Sequence, residues 1–109
     1  MSPVIENNKE QIIDLCKQYH VKELYVFGSA TRDDFNAESD VDLLVEFKNY
    51  PSLNSNDELY AYFENMDDLS NRFSLLFKRE VDLLTEKNIR NKYLKKIIND
   101  EKKLIYAEA

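Results

Sequence analysis

The sequence predicts an α/β domain, a small mixed β-sheet covered by helices, and three observations lead there. Stretches with apolar residues at three- and four-residue steps alternate with short apolar runs of strand length, the pattern of helices interleaved with strands. One such run occurs twice: Val41-Asp42-Leu43-Leu44 returns as Val81-Asp82-Leu83-Leu84, as two neighbouring strands would. The chain also holds a single glycine, Gly28, at the end of the first apolar run. A chain that turns almost everywhere without glycine keeps one where φ must be positive or where the backbone must approach a ligand.

Size and composition set the frame. A chain of 109 residues predicts a single domain, residues 1–109, with a modest core and no second substrate-binding domain. Hydrophobic residues at 43% and charged residues at 33% describe a globular chain, not a disordered one. No apolar run reaches membrane-spanning length, and the N-terminus lacks the basic and apolar regions of a signal peptide. The one cysteine, Cys16, cannot form an internal disulfide, so the expected location is the reducing cytoplasm. A net charge of −6 disfavours a large polynucleotide surface, which usually needs a basic footprint.

Taken in order, Ile5 to Tyr19 reads as an amphipathic helix, with Ile5, Ile12, Leu15, Cys16 and Tyr19 on its apolar face. Cys16 there is a small buried hydrophobe. His20 closes the helix and has no catalytic neighbour in the pattern. Leu24 to Phe27 is a short strand ending in Gly28-Ser29, and Ser29 to about Asp34 begins a short helix. A strand that turns into a helix at Gly-Ser presents free backbone N–H groups, which with the helix dipole favour an anion such as phosphate.

The second strand, Val41 to Phe47, carries Asp40 and Asp42 at its start. Residues two apart on a strand point to one face, so the pair offers two hard oxygen ligands side by side. Such ligands suit Mg²⁺, which is held by one or two carboxylates together with substrate phosphates. A phosphate cradle beside a carboxylate pair is a nucleotide-handling site.

Asn49 to Ser55, with Pro51, Ser52, Asn54 and Ser55, reads as a loop. The longest helix follows, Asn56 to Phe77, with Leu59, Tyr62, Phe63, Met66, Leu69, Phe73, Leu76 and Phe77 inward and Tyr60 outward for a protein contact. Asp57 and Glu58 at its start, and Lys78 and Arg79 at its end, suit the helix dipole. Val81 to Leu84 is the third strand. Placed beside the second, it brings Asp82 next to Asp42, a costly position for a buried carboxylate without a cation or partner, the alternative being an aspartate at an exposed strand start. Lys87 to Asn99 is the last helix, with Ile89, Tyr93, Leu94, Ile97 and Ile98 inward, and Leu104 to Tyr106 a terminal extended piece. Lys87, Arg90, Lys92, Lys95 and Lys96 concentrate positive charge, as a solvated face or as a contact for a triphosphate or an acidic partner.

Gly28-Ser29, ten intervening residues, then Asp40-Val41-Asp42 resembles the G-S-x10-D-x-D signature of the DNA-polymerase-beta-like nucleotidyltransferases, in particular their minimal MNT type. The resemblance implies a minimal nucleotidyltransferase fold, with Asp82 as the third carboxylate after the D-x-D pair. It implies that Asp40, Asp42 and Asp82 are catalytic and hold two Mg²⁺ ions, and that Gly28, Ser29 and Arg32 bind the nucleotide. Arg32 falls where the family has an arginine, but Asp33 replaces the family's glycine, so Arg32 is open to either phosphate contact or pairing with Asp33 or Asp34. Family members of this size act as antitoxins that move AMP from ATP to a tyrosine of a cognate HEPN-type ribonuclease toxin. That function is the expectation here. Two alternatives stand beside it: an antitoxin that only masks its partner, and a transferase acting on tRNA or a small molecule. The choice of nucleotide, the acceptor and any homo- or hetero-oligomer are not written in the sequence.

Overall fold

A computed structural model describes residues 3–31, 39–48 and 56–108. Helices α1 (Pro3–Glu6) and α2 (Lys9–Gln18) lead into strand β1 (Val21–Phe27), followed by a 3-10 turn, Gly28–Thr31. Strand β2 (Val41–Phe47), helix α3 (Asn56–Phe77) and strand β3 (Val81–Leu84) come next. A 3-10 turn at Glu86–Asn88, helix α4 (Lys92–Glu101) and strand β4 (Lys103–Ala107) complete the chain. The four strands form one mixed sheet in the order β3-β2-β1-β4. β1 runs antiparallel to both β2 and β4, and β2 runs parallel to β3.

Alternation along the strands divides the apolar residues between two faces. Leu24 and Val26 of β1, Val41, Leu43 and Val45 of β2 and Leu83 of β3 face α2 and α3, where Ile12, Cys16, Leu69, Phe73 and Phe77 close the main core. Phe27, Leu44, Ile89 and Ile98 form a smaller cluster on the other face, with Tyr25 and Leu84 against it. Cys16 is buried, and that burial pushes its thiol up to about 12, which makes it inert. The hydroxyl of Tyr19 donates to the Asp68 carboxylate and Asn65 Nδ2 donates to the Tyr19 carbonyl at 3.0 Å, which ties the end of α2 to α3.

The structure corrects several sequence expectations. The first helix is interrupted at Asn7-Asn8, where Asn8 Nδ2 donates to the Val4 carbonyl at 2.7 Å; an asparagine side chain that bonds local backbone competes with the helix ladder. The first strand starts at Val21, not Leu24. Lys78 and Arg79 lie beyond α3 and not in its last turn: Lys78 takes φ 57° and ends the helix, while Arg79 Nη1 donates to the Ser39 carbonyl at 3.1 Å. His20 likewise takes φ 63° after α2, so a chain nearly without glycine closes two helices with side-chain-bearing residues in the left-handed region.

Phe63 is 50% exposed, because only the C-terminal half of α3 lies fully against the sheet. In α4, Ile98 is buried, but Tyr93, Leu94 and Ile97, expected inward, are 83%, 46% and 55% exposed. This helix starts at Lys92, capped by the Asn91 side chain, and meets the sheet through Ile98 and its final turn, so its other apolar positions remain in solvent. Tyr60 faces outward as expected. The terminal extended piece is a full edge strand, with Leu24 opposite Tyr106 and Tyr25 opposite Leu104. The expected loop 49–55 and the turns after Thr31 lie outside the described residues.

Candidate active site

The site gathers at one end of the sheet, on the side of the smaller cluster. β2 and β3 pair in parallel with Asp42 opposite Asp82, Leu43 opposite Leu83 and Leu44 opposite Leu84. Parallel partners in register share a face, so the repeated tetrapeptide sets the two aspartates side by side. Asp40 is exposed just before β2. That start is pinned: Val41 N donates to the Glu80 carbonyl at 3.0 Å, and Arg79 holds the Ser39 carbonyl.

Phe27, the last residue of β1, lies opposite Asp42, which places the following turn against the same carboxylate. Gly28 has φ 71°, and a Cβ added to it would overlap the Asp42 carboxylate oxygen. Of the two expected reasons for a glycine the positive φ applies, and a third joins it: the turn lies against the Asp42 carboxylate, which leaves no room for a Cβ. The Thr31 hydroxyl donates to the Gly28 carbonyl at 2.7 Å and braces the turn. The Ser29 hydroxyl reaches the Asp40 carbonyl at 3.5 Å, a loose contact that leaves its proton available.

Asp42 is held well above the ordinary carboxylate range, at about 6. Burial is the largest cause, followed by the charge of Asp82 and a hydrogen bond to it, then the charges of Asp40 and Glu101. The charges that raise Asp42 are all negative, and their oxygens are of the hard kind that a divalent cation takes. Among the described residues, no three His, Cys, Asp or Glu side chains already converge as a finished metal cluster. The carboxylates share a site without being preassembled around an ion.

Of the residues expected from the sequence, Gly28, Ser29, Asp40, Asp42 and Asp82 come together here. Arg32 lies outside the described residues, as do Asp33 and Asp34. Sequence reasoning missed Glu101, whose Oε1 accepts from the Gly28 N–H at 2.9 Å across 73 residues of chain. One signal was present: Asp100 and Glu101 end α4 with acids, where the helix dipole prefers bases. Further along the same sheet face a cleft of about 460 Å³ opens between Tyr25, Leu44, Thr85, Lys87, Lys95 and Lys102. Part of the basic cluster thus faces a cleft, with Lys95 paired to Glu86 at 3.7 Å and Lys102 at 4.3 Å over the Tyr25 ring.

The nucleotidyltransferase domain family matches residues 9–105. A Methanocaldococcus jannaschii protein assigned as a protein adenylyltransferase is 42% identical over 95 residues, covering 85% of this chain and 83% of that protein. A solved structure of a minimal nucleotidyltransferase superposes with a TM-score of 0.70 at 22% identity, over 94% of this chain and 95% of the other. The tri-AMPylated Shewanella oneidensis HEPN toxin in complex with MNT antitoxin contains a chain of the same fold, with a TM-score of 0.62 at 17% identity, over 94% of this chain and 72% of that one.

Proposed function

The chain belongs to the nucleotidyltransferase domain family, and from that premise we propose that it is an Mg²⁺-dependent antitoxin that moves AMP from ATP to a tyrosine hydroxyl of a cognate HEPN-type toxin. The observation that carries the reading is the register of Asp42 with Asp82, on strands that begin beside the Gly28 turn. Catalysis of nucleotidyl transfer asks little covalent chemistry of a protein; it asks for positioning and for compensation of charge.

The residues divide that work. Asp40, Asp42 and Asp82 would hold the metal. A Mg²⁺ ion bound there would supply charge neutralisation for the triphosphate and the departing pyrophosphate and would lower the pKa of the attacking hydroxyl. Gly28, lacking a side chain, lets a phosphate oxygen come close to the backbone, and the Ser29 hydroxyl donates to it. Asp82, exposed at the rim, accepts the proton of the incoming hydroxyl. The tyrosine oxygen bonds to the α-phosphorus as the bond to pyrophosphate breaks, so the products are an AMP–tyrosine diester, pyrophosphate and one proton.

Support for a protein acceptor comes from three directions. The net charge of −6 disfavours a polynucleotide. The M. jannaschii relative is assigned as a protein adenylyltransferase. The S. oneidensis complex pairs an MNT antitoxin with an AMPylated HEPN toxin. The test uses ATP labelled at the α-phosphate, incubated with this chain, the toxin and bulk tRNA. Label on the toxin supports the reading, while label on tRNA transfers the assignment to nucleic acid.

A further inference from the structure

We propose that Glu101 is a resident anion at the Gly28 amide: its carboxylate fills the seat that a triphosphate oxygen takes, and nucleotide binding displaces it. The inference rests on the nucleotidyltransferase reading of the site and adds a residue that sets its affinity. Gly28 N donates to Glu101 Oε1 at 2.9 Å. A carboxylate oxygen and a phosphate oxygen are the same kind of acceptor for a backbone N–H, and one N–H makes one strong bond. The two anions therefore exclude each other at this atom.

The placement of Glu101 argues against a purely structural role. It is the last residue of α4, at the helix end whose dipole opposes a negative charge. It also adds to the negative field around Asp42, at the very point where a polyanionic substrate must arrive. A carboxylate that only braced the fold would be better placed away from both. Glu101 is half-exposed at the junction of α4 and β4, so its side chain can turn to solvent without opening the core. The free protein thus shields its anion seat, and the nucleotide must outcompete an internal ligand.

The sole glycine makes the test direct. Protein labelled with ¹⁵N-glycine gives one amide resonance, that of Gly28. Wild type, Glu101→Gln and Glu101→Ala are titrated with Mg-ATP, following this resonance and the affinity by calorimetry. Glu101→Gln keeps an acceptor oxygen and the fold while removing the charge, so it reports even where Glu101→Ala is unstable. Without nucleotide the resonances of wild type and Glu101→Ala differ; at saturation they converge, because Glu101 has left. Affinity for Mg-ATP rises on the order of tenfold in both variants, as expected for removing one like charge beside the phosphates. A structural brace would instead lower the melting temperature and leave affinity equal or weaker. Equal or weaker affinity in both variants, or resonances that stay as far apart at saturation as before, overturns the proposal while wild-type binding upholds the nucleotide site. If none of the three proteins binds Mg-ATP, the nucleotide reading itself fails and takes the displacement with it.

Discussion

Asp42 and Asp82 stand opposite each other on parallel strands, and each occupies the second position of the same Val-Asp-Leu-Leu tetrapeptide. The repeat places two carboxylates side by side on one sheet face, and burial first, then the neighbouring Asp82, raises the Asp42 pKa to about 6. Since the folded-state value lies above the unfolded 3.8, the native protein binds more protons between them. The contribution of Asp42 to the stability of the metal-free protein therefore falls as pH rises from about 4 to about 6 and stays at the lower level above. Asp42→Asn should remove this part of the decline and make the metal-free protein more stable at pH 7 than wild type. Denaturant midpoints across that range check it; a variant with the same pH slope as wild type contradicts it.

Mg-ATP should raise the melting temperature of the wild type. At a hundredfold excess over the dissociation constant, mass action adds about 2.7 kcal/mol, which is on the order of 10 °C or more for a domain of this size. Asp42→Asn and Asp82→Ala should remain folded and show little of that shift. A full shift in either variant would remove that residue from the metal site.

Gly28→Ala should fail for two reasons that can be separated. The φ of 71° costs an alanine about 1–2 kcal/mol, and the new Cβ meets the Asp42 carboxylate. Combining it with Asp42→Gly clears the overlap and leaves only the backbone strain. The double variant is thus expected to lose less stability than the sum of the two single changes, measured as a double-mutant cycle. Simple additivity would mean that the two residues do not touch.

Lys78 ends α3 at φ 57° and is exposed. Lys78→Gly should stabilise the protein by about 0.5–1 kcal/mol, because glycine adopts this conformation without a Cβ penalty. Thermal unfolding would show it as a rise of a few degrees. A fall in melting temperature would mean that the lysine side chain makes a contact worth more than the strain.

Much of this molecule was legible because its strands are short apolar runs. β2 and β3 begin and end where those runs do, and the lone glycine lies where a positive φ is needed. Periodicity failed in α4, where Tyr93, Leu94 and Ile97 follow a helical stripe but the helix meets the sheet mainly through Ile98. A stripe shows which side of a helix is apolar; it does not show how much of that side finds a partner. β4 was legible only as an extended piece, because its one buried residue, Ile105, beside an exposed Leu104 is too short a pattern to show pairing along β1. Glu101 was missed for a different reason, its one sign being the acidic end of α4. Its partner is a backbone N–H 73 residues away, and a contact made to the main chain imposes no side-chain pattern on either end.

The central claim is that carboxylates on β2 and β3 drive AMP transfer to a protein tyrosine. Intact-mass measurement of the cognate HEPN-type toxin, after incubation with this chain and Mg-ATP, tests it most directly. The toxin is expected to gain the mass of one or more AMP groups, with fragmentation placing them on tyrosine, and Asp40→Asn, Asp42→Asn and Asp82→Ala should each prevent the gain. A toxin fully neutralised yet unmodified by wild type, and neutralised as well by all three variants, would contradict it and leave masking as the mechanism.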